Sequence, residues 1–316
     1  MGLTYPEAIV VGLVQGVTEL FPVSSLGHSV LLPALIGGRW ARDLDVSAPE
    51  SPYLAFIVGL HVATAVALIV FFRRDWARIV LGLLTSVRDR SVRTPEQRLG
   101  WLIVLATIPV GVAGLLLEHT FRTVLGKPVP AAIFLMANGV LLLAGERLRR
   151  TAPEPVGVGR PAGPAPLPDR PDNGVAADRA DGGLAADRRL ARQSTGTSLL
   201  VGSAQVLALL PGISRSGVAM VAGLVRGLSH EDAARFSFLL ATPVILAAGV
   251  LKLPDLAGPL GAGIHGQVLV GSLASGLAAY AAVRWLTRWF TTRTLTPFAV
   301  YCLLAGAASV VVLTLR

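Results

Sequence analysis

The chain of 316 residues has little charge: Asp, Glu, Lys and Arg together make up 15% of it, against about a quarter in an ordinary soluble domain. Hydrophobic residues make up 53% and the mean hydropathy is +0.64, so the composition excludes a typical soluble fold. Cysteine is nearly absent. Cys302 stands alone in an apolar run, which excludes an intrachain disulfide and a multi-cysteine metal site. Lysine is scarce: Lys127 and Lys252 are the only two, and arginine supplies the other basic residues behind the net charge of +9. Those arginines cluster between apolar runs, as in the loops of a membrane protein. Nucleic-acid binding is therefore not expected. Sustained apolar–polar alternation is missing, which argues against a transmembrane barrel. The N-terminus has no basic n-region, so the first helices are expected to act as their own targeting signal.

What the chain does have is long apolar runs rich in Leu, Ala, Val and Gly, several near the 20 residues that cross a bilayer. Spans are predicted at Tyr53–Phe72, Gly100–Leu117, Pro130–Ala144, Ala234–Leu251, Gln267–Val283 and Pro297–Leu315. Two further segments are broken. Tyr5–Phe21 and Ser29–Gly37 flank Pro22-Val23-Ser24-Ser25-Leu26-Gly27-His28. Thr197–Leu210 and Val218–Leu228 flank Pro211-Gly212-Ile213-Ser214-Arg215-Ser216-Gly217. Short apolar arms around a polar Pro/Gly turn predict re-entrant hairpins, which survive at membrane depth only when buried in protein or lining a wet cavity.

Shifted by 190 positions, the first half overlays the second: Gly12 meets Gly202, Gln15 meets Gln205, Ser24 meets Ser214 and Gly27 meets Gly217. Each half then reads as a hairpin followed by three spans, an odd number, so the halves should insert in opposite orientations. The prediction is an all-α polytopic membrane protein with an inverted-topology repeat and its site at the repeat interface. One integral membrane domain is expected, with repeats over 1–145 and 195–316. Between them residues 146–194, dense in Pro, Gly, Ala, Asp and Arg, are read as a disordered cytoplasmic loop. Charge orients the arrangement. The loop Arg73–Arg98 carries seven arginines, the long loop nine, and Arg284, Arg288 and Arg293 follow the fifth span. These loops share one side, so the positive-inside rule places both termini outside the cytoplasm.

Two intrusions into apolar segments carry the chemistry. Glu19 is a carboxylate that costs about 2.5–3.5 kcal/mol to insert. Gln15 lies on its helical face, and Ser24, Ser25 and His28 follow. A nucleophile, a base and a cation ligand can all be drawn from this set. Arg215 is a fixed cation between Ser214 and Ser216 and between Gly212 and Gly217, the composition of a phosphate cradle. A plain buried Glu19–Arg215 ion pair explains the charges but not the hydroxyls and glycines beside them. Other polar residues rank lower. His61 lies inside a span near Thr64. His119, His230 and His265 are read as solvated at span ends, Glu231 and Arg235 as an interfacial i,i+4 pair, and Asn138 as helix-packing glue.

Gln15-Gly16-Val17-Thr18-Glu19-Leu20-Phe21-Pro22-Val23-Ser24-Ser25-Leu26-Gly27-His28 resembles the first signature of the undecaprenyl-diphosphate phosphatases of the bacitracin-resistance type. Leu210-Pro211-Gly212-Ile213-Ser214-Arg215-Ser216-Gly217 resembles their second. The likeness spans nearly the whole chain outside the long loop. It implies hydrolysis of undecaprenyl diphosphate to undecaprenyl phosphate and inorganic phosphate. That reaction recycles the lipid carrier of the cell wall, at the outer face of the bacterial cytoplasmic membrane. It also implies a divalent cation, Mg2+ or Ca2+. Carried over by position, the essential acid falls on Glu19, the serine pair on Ser24 and Ser25, the histidine on His28 and the phosphate-binding arginine on Arg215. Gln15 stands where many members have glutamate, and Leu26 where threonine is usual.

The expected catalytic set is therefore Glu19, Ser25, His28 and Arg215. Ser24, Gly212, Ser214, Ser216 and Gly217 are expected to bind substrate, and Glu19 with Gln15 to hold the metal. Ser25 is the preferred nucleophile, with Ser24 close behind and His28 or Glu19 as base. Metal-activated water is the rival nucleophile. A lipid-phosphate transporter or flippase fits the same repeat plan, and the sequence leaves a homodimer open.

Overall fold

A computed structural model of the chain describes residues 3–45, 52–151, 174–258 and 262–315. Their regular elements are helical throughout. The first half comprises α1 (Tyr5–Thr18), α2 (Ser25–Ile36), α3 (Gly38–Asp43), α4 (Pro52–Phe71), α5 (Arg73–Arg88), α6 (Pro95–Leu125) and α7 (Pro128–Thr151). Next comes α8 (Gly174–Ala191). The second half comprises α9 (Thr195–Ala204), which runs into a 3₁₀ turn at Gln205–Leu209, then α10 (Arg215–Val225), α11 (His230–Ala257), α12 (His265–Trp289) and α13 (Thr296–Leu315).

Among the described residues, α6, α7, α11, α12 and α13 are long and apolar enough to cross a membrane. A sixth candidate is α4 with α5, bent by 89° at their junction. The outer surface is apolar: Leu116, Leu277 and Leu304 are 73%, 73% and 67% exposed. Such a surface faces lipid, because water would drive it to associate. The chain is an all-helical polytopic membrane protein.

Neighbour contacts fix the helix directions. Gly59 of α4 lies against Val268, and Ala63 against Gly276, so α4 runs parallel to α12. Val62 meets Gly249 while Gly59 meets Leu256, so α4 and α11 run antiparallel. Gly139 packs on Leu303 while Gly306 packs on Met136, so α7 and α13 run antiparallel. The two broken segments pack reciprocally. Gly12 of α1 rests on the backbone of Gly271 in α12, and its counterpart Gly202 of α9 rests on the backbone of Ala106 in α6. Any Cβ at either glycine would strike a backbone oxygen.

The structure departs from the sequence expectations at three places. Residues 146–194 are not wholly a loop without structure: 146–151 finish α7 and 174–191 form α8, while 152–173 lie outside the described residues. Its segment-wide composition hides a short apolar stripe, Ala186, Leu190 and Ala191, that is buried. Asp187 adds ion pairs to Arg78 at 3.0 Å and to Arg235 at 2.8 Å. Glu231 and Arg235 do not pair with each other, because Arg235 turns to Asp75 and Asp187 and Glu231 to Arg189. His230 is buried rather than solvated, with Nε2 2.7 Å from Glu146. The side chain of His119 lies outside the described residues.

Candidate active site

The breaks in the two short-helix pairs meet. Ser24 caps α2 by accepting from Gly27 N at 3.1 Å, and Ser214 caps α10 by accepting from Gly217 N at the same distance. Each cap satisfies one of the unpaired amides at a helix start. Ser24 reaches its position at φ 68°, a region that costs a non-glycine residue about 1–3 kcal/mol and recurs at functional sites. Gly212, at φ 115°, passes against the backbone of Ala131 in α7 and meets Gly27 of α2.

Asn138 of α7 clamps the two breaks together. Its Nδ2 donates to Pro22 O at 3.0 Å and its Oδ1 accepts from Ser214 N at 3.0 Å. Predicted as packing glue, it positions both turns. An amide side chain inside an apolar span was the sequence signal. The hydroxyls of Ser214 and Ser216 both reach Phe21 O, at 3.4 Å and 3.1 Å. They tie one break to the other.

The charged residues converge within this frame. Glu19 Oε1 accepts from Arg215 Nη2 at 2.9 Å, with side chains only 5% and 13% exposed. Glu19 Oε2 accepts from Gln15 Nε2 at 2.9 Å and from the Ser25 hydroxyl at 2.5 Å. The same oxygen lies 3.2 Å from His61 Nε2. His61 of α4 was ranked below the site residues, yet it reaches Glu19. Its Nδ1 lies 2.8 Å from Ile57 O, so both ring nitrogens face oxygens, and a neutral ring donates to only one. His28 goes elsewhere: Nδ1 lies 2.7 Å from Ser24 O, and Nε2 lies 2.7 Å from the Tyr301 hydroxyl on α13. The structure brings Gln15, Glu19, Ser25 and Arg215 together with His61, and turns His28 away.

A cavity of about 240 Å³ opens beside this cluster, its polar lining including Glu19, Ser25, His61, Gln205 and Arg215. Val58, Val110, Leu209 and Val244 form apolar walls. The first residues of α2 and α10 both line it, so two positive helix ends face one space. Four buried polar atoms here have no partner among the described residues: Arg215 Nη1, Gln15 Oε1, and both Nε2 and Oε1 of Gln205. Gln205 is fully buried. It was missed as a site residue, although it is the counterpart of Gln15 in the second half. Buried polar groups without partners are rare and call for a ligand or a reason.

The donors for a divalent cation are few. Among the described residues Glu19 is the only carboxylate on the cavity, and both its oxygens already have partners. Gln15 Oε1 adds one neutral oxygen. Hard cations are surrounded by six or more oxygens, of which waters and substrate phosphates supply several, and among the described residues no cluster of three acidic, His or Cys side chains exists. With a guanidinium 2.9 Å from the carboxylate, Glu19 and Gln15 alone do not complete a cation's shell; they can supply part of it, with waters and substrate phosphate oxygens supplying the rest.

A helical membrane fold with a partly polar, apolar-walled cavity faced by two helix N-termini defines an integral membrane protein with an intramembrane site. The model of the family described as "Bacitracin resistance protein BacA" matches residues 8–308, and the chain belongs to that family. It is similar to proteins named undecaprenyl-diphosphatase from Mycolicibacterium paratuberculosis and from Mycobacterium avium, each 66% identical over 314 residues, 99% of both chains. A protein named undecaprenyl-diphosphatase 1 from Frankia casuarinae is 58% identical over 362 residues, 98% of both chains.

Proposed function

We propose that this chain hydrolyses undecaprenyl diphosphate to undecaprenyl phosphate and inorganic phosphate, recycling the cell-wall lipid carrier and conferring resistance to bacitracin. The carrying observation is the Ser25 hydroxyl, hydrogen-bonded at 2.5 Å to Glu19 on an apolar-walled cavity that the α2 and α10 N-termini face. The walls suit the isoprenoid, and the helix ends and Arg215 Nη1 suit the diphosphate. Arg215 can hold a phosphate through Nη1 while Nη2 stays on Glu19, so the ion pair and the anion site coexist.

In this reading Ser25 Oγ attacks the terminal phosphorus and its proton passes to Glu19. The bond from that phosphorus to the bridging oxygen breaks, and undecaprenyl phosphate leaves as an anion stabilised by Arg215 and the helix ends. Water then attacks the phosphoserine, one of its protons passing to a phosphoryl oxygen, and Ser25 takes back the proton held on Glu19 as the Oγ–P bond breaks and phosphate leaves as dihydrogen phosphate. His28 supports the turn through Ser24 O rather than acting as base. No step is assigned to the divalent cation that the family resemblance implies.

Every site residue comes from one chain, so the reading needs no second copy. The antiparallel pairs α4/α11 and α7/α13 and the matched Ser24 and Ser214 caps support an inverted repeat. The arginine distribution supports a bacterial cytoplasmic membrane location with the site opening to the outer face.

Phosphate release from undecaprenyl diphosphate in detergent tests the activity, since no membrane sides remain and a pure flippase releases none. Ser25→Ala should fall to background, and acid-quenched wild-type turnover should yield phosphoserine at position 25. Full activity in Ser25→Ala would remove Ser25 as nucleophile and leave direct attack by water.

A further inference from the structure

A second cavity, of about 590 Å³, shares no lining residue with the first. It lies where the C-terminal ends of α4 and α12 meet the starts of α5 and α11 and the middle of α8. Its floor is a closed charge network. Asp75 pairs with Arg78 and, at 3.1 Å, with Arg235. Asp187 pairs with Arg78 at 3.0 Å and with Arg235 at 2.8 Å. Two carboxylates match two guanidiniums there, and the Arg235 guanidinium also lies 5.3 Å from the centre of the Phe72 ring.

The rim is different. Arg73 and Arg74 open α5, and Arg284 and Arg288 occupy successive turns near the end of α12. None of the four pairs with a carboxylate among the described residues. The acid on this rim, Glu231, is paired with Arg189 at 3.4 Å. Arg284 and Arg288 are like charges at i,i+4, a spacing that is unfavourable without an anion between them. One wall is aromatic, with Phe71 edge-on to Tyr280 at 5.8 Å.

We propose that this cavity binds the phosphate-bearing headgroup of an anionic membrane lipid, at a site separate from the candidate active site. Guanidinium forks from two helices match phosphate oxygens. The aromatic wall at the end of the spans suits the glycerol and upper acyl chain. Basic residues scattered by the positive-inside rule give charge on one side of the membrane, but not four guanidiniums unpaired among the described residues around a cavity whose own acids are all engaged. The inference does not depend on the hydrolytic reading.

The test uses the full chain in a neutral detergent, with dioctanoyl phosphatidylglycerol as the probe and thermophoresis as the readout. Arg284→Gln combined with Arg288→Gln should weaken binding about tenfold or more, as expected when charge-assisted bonds are lost. Phosphate release from undecaprenyl diphosphate in detergent should be unchanged. Arg73→Gln combined with Arg74→Gln, on a different helix, carries the same expectation should the first pair unfold. Binding unchanged in both double variants, or equal binding of zwitterionic dioctanoyl phosphatidylcholine, would overturn the proposal. Competition by inorganic phosphate at the lipid's own concentration would overturn the lipid assignment, because it would show that the apolar wall contributes nothing.

Discussion

Glu19 and Arg215 lie 196 positions apart in the chain and 2.9 Å apart in space. Had they been far apart, one phosphate would not have bridged both, and the two signature motifs would not share a site. Glu19→Gln removes the proposed proton acceptor and should lower kcat about 10²–10⁴-fold. Arg215→Ala also strands a buried carboxylate, which costs about 3–5 kcal/mol. Arg215→Lys keeps the charge and separates the effects: it should hold the melting temperature closer to wild type while losing most phosphate release, because the second guanidinium nitrogen is gone. Near-wild-type release in Glu19→Gln would leave Glu19 as a structural partner only.

His61→Gln tests the residue that the sequence ranked low. Its Nε2 shares Glu19 Oε2 with Gln15 and Ser25. A glutamine can still donate to Glu19 but cannot take up or release a proton as an imidazole can. Phosphate release should fall about tenfold or more, for a loss near 1.4 kcal/mol, with the protein still folded by circular dichroism. Unchanged kinetics would place His61 outside the reaction.

Gln205→Leu separates binding from folding. The amide has no partner among the described residues, so its removal should leave the melting temperature level or raised. A similarly shaped apolar group avoids a desolvation cost of about 1–3 kcal/mol. If the amide meets the diphosphate, KM for undecaprenyl diphosphate should rise while stability does not fall. A lower melting temperature with unchanged KM would make the residue structural.

Metal addition checks the donor count. One engaged carboxylate and one free amide oxygen should not hold Mg2+ or Ca2+ without substrate. Millimolar Mg2+ or Ca2+ should therefore shift the melting temperature of the substrate-free protein by no more than about 1 °C, since only a ligand that binds the folded state stabilises it. A clear upward shift, lost in Glu19→Gln, would establish a resident cation site.

The sequence by itself determined the membrane class, the apolar helices, the paired breaks and most of the charged site. Length and apolarity fix a span locally, and Glu19 and Arg215 stand out because charge is costly in apolar surroundings. It missed α5 and α8, whose burial depends on partners far along the chain: Asp75 and Asp187 are neutralised by Arg78 and Arg235. Tertiary structure alone decided between the two histidines. His28 is three positions from Ser25, but its place on α2 turns it to Tyr301. His61 is remote in sequence, but packing of α4 beside α1 delivers it to Glu19. Which face of a helix meets which neighbour is set by side-chain packing between distant segments, and sequence spacing carries no record of that choice.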